Sequence, residues 1–166
     1  MRVLLVGGGC RGLELTRALV AEGHAVRVVT RRAERREEIE AAGGECWSGD
    51  PDVVGTLRYA LANVTVLLWA LGTASGENVE ALHGSRLTMM LERTIDTMVR
   101  GVIYEAAGSV PSAILAQGAT EVRRMCERNE LPYALLEADP ADAGAWTSAA
   151  GAAIERLLTA RRPTAR

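Results

Sequence analysis

A chain of 166 residues is long enough for one domain with its own core, and 48% apolar with 24% charged residues is an ordinary globular composition. A net charge of −2 creates no field that favours nucleic acid or an anionic membrane surface. No apolar run approaches the roughly 18 residues of a membrane span, and the chain enters a strand at once, so no signal peptide is expected.

The elements alternate in kind from the first residues onward. Arg2 to Val6 reads as a strand and Arg11 to Glu22 as a helix, with Leu15, Ala18 and Leu19 as its inward stripe and Gly23 as its end. Ala25 to Thr30 is a second strand. Ala33 to Ala42 is a charged helix with little apolar face, stopped by Gly43-Gly44, and its Arg/Glu run suits i,i+4 pairing in solvent. Glu45-Cys46-Trp47 is a short third strand. Asp50 then fits a helix N-cap and Pro51 a first helical position, which predicts a helix to about Ala62. Val64 to Ala70 is a continuous apolar run, as a buried parallel strand requires. Gly72 to Gly76 is a small-residue loop, and a helical region from Glu77 to Val99 has a break expected near Gly84-Ser85. Gly101 to Ala106 is a fifth strand and Gly108 to Pro111 a turn. Ser112 to Asn129 is a helix, Tyr133 to Glu137 a sixth strand, Pro140 to Gly144 a loop and Ser148 to Ala160 a last helix. The prediction is therefore α/β: one doubly wound parallel sheet of about six strands over residues 1–160, then a short basic tail over 161–166.

One motif gives this alternation a chemical meaning. Gly7-Gly8-Gly9-Cys10-Arg11-Gly12 is G-x-G-x-x-G set between a strand and a helix, the context in which it signals a bound dinucleotide. Gly7 permits the tight turn, Gly9 lets a pyrophosphate approach the backbone, and Gly12 lets the helix pack closely on the sheet. The first helical turn, including Cys10 and Arg11, presents unpaired N–H groups to phosphate. The second strand ends in Thr30-Arg31-Arg32, where an NAD-preferring site usually carries an acidic residue. Two guanidinium groups there suit an adenosine 2′-phosphate, so NADP is expected over NAD.

The strand ends together resemble the atypical and extended short-chain dehydrogenase/reductase superfamily of NAD(P)-binding Rossmann proteins, over nearly the whole chain. The residues that carry the resemblance are the glycine loop, Arg31-Arg32, Ser48-Gly49-Asp50 and Ala70-Leu71-Gly72. It implies that Asp50 lies near the adenine and that Ala70, Leu71 and Gly72 line the cofactor. It also implies a Tyr-x-x-x-Lys catalytic pair with a serine after the fifth strand, and here the sequence departs. All nineteen basic residues are arginine, and Asn63, Gly108 and Glu137 stand four residues after Tyr59, Tyr104 and Tyr133. The family's C-terminal substrate-binding extension is not expected either.

The remaining candidates are few. Ser109 occupies roughly the family's serine position. Tyr104 and Glu105 end the fifth strand near where a nicotinamide could lie, and Glu105 is either an acid/base or the partner of Arg100 or a neighbouring arginine. Cys10 lies at a helix N-terminus, a place that lowers thiol pKa values, or is simply a small residue that fits. Cys10, Cys46 and Cys126 have no metal spacing and no paired framework, His24 and His83 lack a second ligand, and a reducing cytoplasm without a metal site is expected. Met89, Met90, Leu91, Ile95 and Met98 form core or a homodimer face. Two functions follow: an NADP(H)-binding redox sensor or regulatory protein, or an NADPH-dependent reductase of a flavin- or quinone-like acceptor.

Overall fold

Strand β1 (Arg2–Gly7) alternates Leu4 and Val6 to one face with Val3 and Leu5 to the other, all fully buried, so it must lie at the centre of a sheet covered on both sides. The computed structural model describes residues 1–160 and places β1 there. The tail Arg161–Arg166 lies outside the described residues. The six parallel strands are β1, β2 (Ala25–Thr30), β3 (Glu45–Ser48), β4 (Val66–Ala70), β5 (Gly101–Glu105) and β6 (Tyr133–Leu136), in the order β3-β2-β1-β4-β5-β6. That order reverses direction between β1 and β4, where Gly7 pairs with Ala70 at the strand ends. A ligand crevice is expected at such a switch point.

Helices cover both faces. Helix α1 (Gly9–Ala21) packs beside α6 (Ala143–Thr159) on one face, with α2 (Arg36–Ala41) next to β3. Helices α4 (Ser85–Thr94) and α5 (Ser112–Arg128) cover the other, with the single turn α3 (Val79–Leu82) packed against α4. Val3, Leu5, Val28, Leu68 and Ile103 meet Trp146 and Ile154 under α1 and α6. Leu4, Val6, Leu67, Trp69 and Tyr104 meet Leu87, Met90 and Val122 under α4 and α5. Doubly wound packing follows from strands that are apolar on both pleats.

The expected helix from Asp50 to Ala62 is absent. An isolated bridge joins Asp50 to Val53, and two short 3-10 turns follow at Val54–Leu57 and Tyr59–Leu61. Side chains compete for the backbone here. The Asp50 carboxylate accepts the Asp52 N–H at 2.9 Å, the Thr56 hydroxyl accepts the Asp50 N–H at 2.8 Å, and the Arg27 guanidinium donates to the carbonyls of Ala60 and Ala62. Asp50 is thus the head of an Asx turn and caps no α-helix.

Smaller departures have similar causes. The segment after β2 opens with a 3-10 turn at Ala33–Arg35 before α2, and fully buried Ile39 anchors it. The helical region after β4 breaks at Gly84, as expected, but α4 ends at Thr94, where threonine hydroxyls donate to the carbonyls of Leu91 and Thr94. Of its apolar residues Met90 and Leu91 are core, while Met89, Ile95 and Met98 are exposed. Helix α6 starts five residues early because Asp142 caps it, accepting the Ala145 N–H at 3.0 Å. In α1 the buried stripe is Leu13, Leu15, Thr16 and Leu19, and Ala18 faces solvent.

Candidate functional site

The three motif glycines hold three different positions. Gly7 has φ of 84°, and a Cβ there would lie 2.4 Å from the Ala70 carbonyl oxygen. The same oxygen accepts the Gly8 N–H at 2.9 Å, which ties the loop to the end of β4. Gly9 has φ of 51° and faces open space, its nearest neighbour being Arg11 Nη1 at 3.9 Å. At Gly12 a Cβ would come within 3.0 Å of Leu5 Cδ2, so α1 sits directly on β1. Backbone N–H groups at the start of α1 therefore face an uncovered space.

That space is a cleft of about 420 Å³ over the switch point. Gly7, Gly8 and Gly9 form its floor, and Thr30, Arg31, Arg32 and Arg35 form the wall at the end of β2. Asp50 and Asp52 come from the turn after β3. Ala70, Leu71 and the loop from Thr73 to Asn78 close the far side. Arg31 and Arg32 are exposed, and neither makes an ion pair with a described residue. Arg35, which the sequence did not single out, lines the same wall and is paired with Glu38. Asp52 accepts the Asn78 side-chain amide at 2.7 Å and Arg86 Nε at 3.1 Å, holding the far loop against the β3 turn.

Four expected cofactor residues do not line this cleft. Gly12 is in the helix–strand seam, and Cys10 is exposed on the first turn of α1. Arg11 turns inward and is only 8% exposed. Its guanidinium donates to both oxygens of Glu105, at 2.8 to 3.0 Å, and lies 5.1 Å from the Trp146 ring. Glu105 is fully buried, and it also accepts the Trp146 indole N–H at 2.8 Å and the Gly72 N–H at 2.6 Å. Every contact on this side chain is a donor to it, the pattern of a carboxylate with its lone pairs filled. It is placed as an anchor, and its arginine partner is Arg11, not Arg100. Gly72 is buried at the same junction, where a Cβ would meet the Ala107 carbonyl at 2.1 Å.

The other catalytic candidates are equally displaced. Tyr104 is fully buried on the opposite pleat from Glu105, and burial raises its phenol far above the usual range, with the Glu105 charge adding to the effect. Its hydroxyl contacts His83 Nδ1 at 2.6 Å and the Leu115 carbonyl at 3.3 Å. Ser109 is exposed and has no described hydrogen-bond partner. Tyr59 is 71% exposed, and Tyr133 donates to Glu127.

The sequence pattern of a known family, described as NAD(P)H-binding, matches residues 7–130, most of the chain and the whole of the cleft. The chain belongs to this NAD(P)H-binding family. Solved structures of similar fold include a short-chain dehydrogenase/reductase superfamily protein from Agrobacterium tumefaciens with bound NAD. It has 17% identity and a TM-score of 0.67, over 82% of this chain and 48% of that one. A Citrobacter sp. triphenylmethane reductase complexed with NADP(H) has 19% identity and a TM-score of 0.61, over 81% and 48%. A UDP-glucuronic acid 4-epimerase from Bacillus cereus in complex with NAD has 13% identity and a TM-score of 0.67, over 84% and 57%. The chain thus spans about half the length of these structures, and the likeness shows the fold. No curated protein matches it. Among the described residues no helix is long and apolar enough to cross a membrane.

In this NAD(P)H-binding chain the sequence marks His83 only as lacking a second metal ligand, in a polar stretch, and does not reveal its burial. His83 is 1% exposed, and its Nε2 donates to the Leu71 carbonyl at 3.0 Å, directly behind the cleft wall. Nδ1 must then accept the Tyr104 hydroxyl. The sequence signal was faint, a lone histidine before Gly84 with no apolar neighbours on one side. Burial lowers the His83 pKa from its ordinary 6.5, against the opposing pull of the Leu71 carbonyl. The unfolded chain therefore takes up this proton first, and stability falls as pH drops below about 6.5. Thermal melting from pH 7.5 to 5.5 should show a decline that is shallower in His83→Gln.

Proposed function

We propose that this chain is an NADP(H)-binding protein, one Rossmann domain over residues 1–160, that acts as a redox sensor or regulatory partner. In this reading the pyrophosphate lies over Gly7 to Gly9 at the start of α1. The adenosine 2′-phosphate meets Arg31 and Arg32, with Arg35 behind them, and Asp50 lies at the adenine end. The single observation that carries the NADP preference is the arginine wall at the end of β2, where no carboxylate follows the strand directly. The cleft suits the ligand, since the N–H groups at the start of α1 face an open floor and Gly9 leaves room for phosphate. Three free cysteines fit a reducing cytoplasm.

The binding-protein reading rests on the chemistry missing around the cleft. Within these 166 residues there is no lysine, so no Tyr-x-x-x-Lys pair exists, and Tyr104 is locked into the core. Carbonyl reduction needs a proton donor beside the hydride acceptor; of the candidates Tyr104 and Glu105 are fully buried, and Ser109, though exposed, does not line the cleft. A second reading, hydride transfer from NADPH to a flavin- or quinone-like acceptor, is favoured by the fold shared with the triphenylmethane reductase. Such an acceptor can draw its proton from solvent.

Calorimetric titration tests the binding claim. NADPH is expected to bind on the order of 50-fold tighter than NADH, the effect of two charge-assisted contacts of about 1–1.5 kcal/mol each. Equal affinities would sink the assignment. A parallel assay of NADPH oxidation should show no turnover of ketones, and activity with flavins or quinones would decide for the reductase.

A further inference from the structure

Glu105 joins two walls of the cleft without touching it. Arg11 lies in the first turn of α1, two residues beyond the cleft residue Gly9, and Gly72 follows the cleft residue Leu71. One carboxylate holds both: Oε1 accepts Arg11 Nε and Nη2, and Oε2 accepts Arg11 Nη2 and the Gly72 N–H. We propose that Glu105 is the positioning residue of the dinucleotide site, setting the distance between the phosphate loop and the β4 wall through Arg11 and Gly72. The inference rests on the cofactor reading above.

Only a carboxylate can fill this place. A guanidinium and a backbone N–H point at it from opposite walls, and the Trp146 indole N–H supplies a further donor. Both oxygens must therefore accept. A glutamine keeps the volume but turns one oxygen into a donor. Its less unfavourable orientation keeps the oxygen toward Arg11 Nε and Trp146, and sets its NH2 against the Gly72 N–H. The β4 wall is then the element released. Arg31, Arg32 and Asp50 lie on the other side of β1 and have no contact with this anchor. Damage should consequently fall on the pyrophosphate region and spare the 2′-phosphate end.

That split separates positioning from plain stability. The experiment titrates Glu105→Gln with NADPH and, separately, with adenosine 2′-monophosphate, which carries no pyrophosphate. NADPH affinity should fall about tenfold, while the monophosphate stays within about twofold of wild type. If Glu105→Gln does not fold, Arg11→Met/Glu105→Gln removes both buried charges together, a replacement that proteins commonly tolerate, and should show the same split. Unchanged NADPH affinity, or equal loss for both ligands, overturns the proposal. Wild-type protein that binds no NADPH would refute the cofactor reading itself.

Discussion

Gly9→Val should fold and lose NADPH, whereas the smaller change Gly7→Ala should fail to fold. The two positions differ in what a side chain would meet. At Gly9 nothing lies closer than 3.9 Å, and the backbone cost of φ 51° for a non-glycine residue is about 1–2 kcal/mol. A domain with a stability of about 5–15 kcal/mol survives that. The added methyl groups occupy the open floor where a pyrophosphate would approach, so binding is lost. At Gly7 a single methyl carbon meets the Ala70 carbonyl oxygen at 2.4 Å and Leu71 Cδ2 at 2.6 Å, with φ at 84°. Relief requires β1 and β4 to part at the centre of the sheet, where Gly8 also donates to that same oxygen. The strain and the lost packing sum to several kcal/mol, comparable with the whole stability. Circular dichroism melts and NADPH calorimetry on both variants check this. Gly9→Val that binds NADPH like wild type would show that the phosphate loop is placed elsewhere.

Replacing both Arg31 and Arg32 with alanine should abolish the preference for NADPH. Both side chains are exposed, so each contact with a 2′-phosphate is screened, and about 1–1.5 kcal/mol apiece is a fair magnitude. Together they correspond to a loss on the order of 50-fold in NADPH affinity. NADH carries no 2′-phosphate and should bind within about twofold of its wild-type strength. Stability should not change, because neither arginine side chain holds a described partner, and alanine keeps the backbone bonds of Arg32 with Thr30. The same titration at raised salt should narrow the wild-type preference. An NADPH preference that persists in the double variant would move the 2′-phosphate away from this wall, with Arg35 the first place to look.

The hydride step is the other expectation that separates the two functions. Tyr104 could serve neither, since its hydroxyl is engaged by His83 and Leu115 inside the core. Ser109 alone is exposed near the β5 end, without a partner to activate it among the described residues.

The sequence by itself determined the β-α alternation, the parallel sheet and the glycine loop. Apolar runs such as Val66–Ala70 can lie only inside a sheet covered on both faces, and Gly7, Gly9 and Gly12 are each required by local geometry. The arginine wall was legible for the same reason, because residues directly after a strand stand at its carboxyl end. Tertiary structure decided the rest. From sequence, Arg11 looked like a phosphate ligand, and Glu105 like either an acid/base or the partner of Arg100 or a neighbouring arginine; Arg11 and Glu105 lie 94 residues apart and pair with one another beneath the cleft. Tyr104 and Glu105 are neighbours in the chain, yet the pleat sends one under α5 and the other toward α1 and α6. The Asp50–Ala62 segment lost its helix partly to Arg27, more than thirty residues distant. Periodicity and turn chemistry act over a few residues, so they are written locally. The side on which a buried polar group finds its partners depends on which distant elements pack there, and no window of sequence contains both ends of that contact.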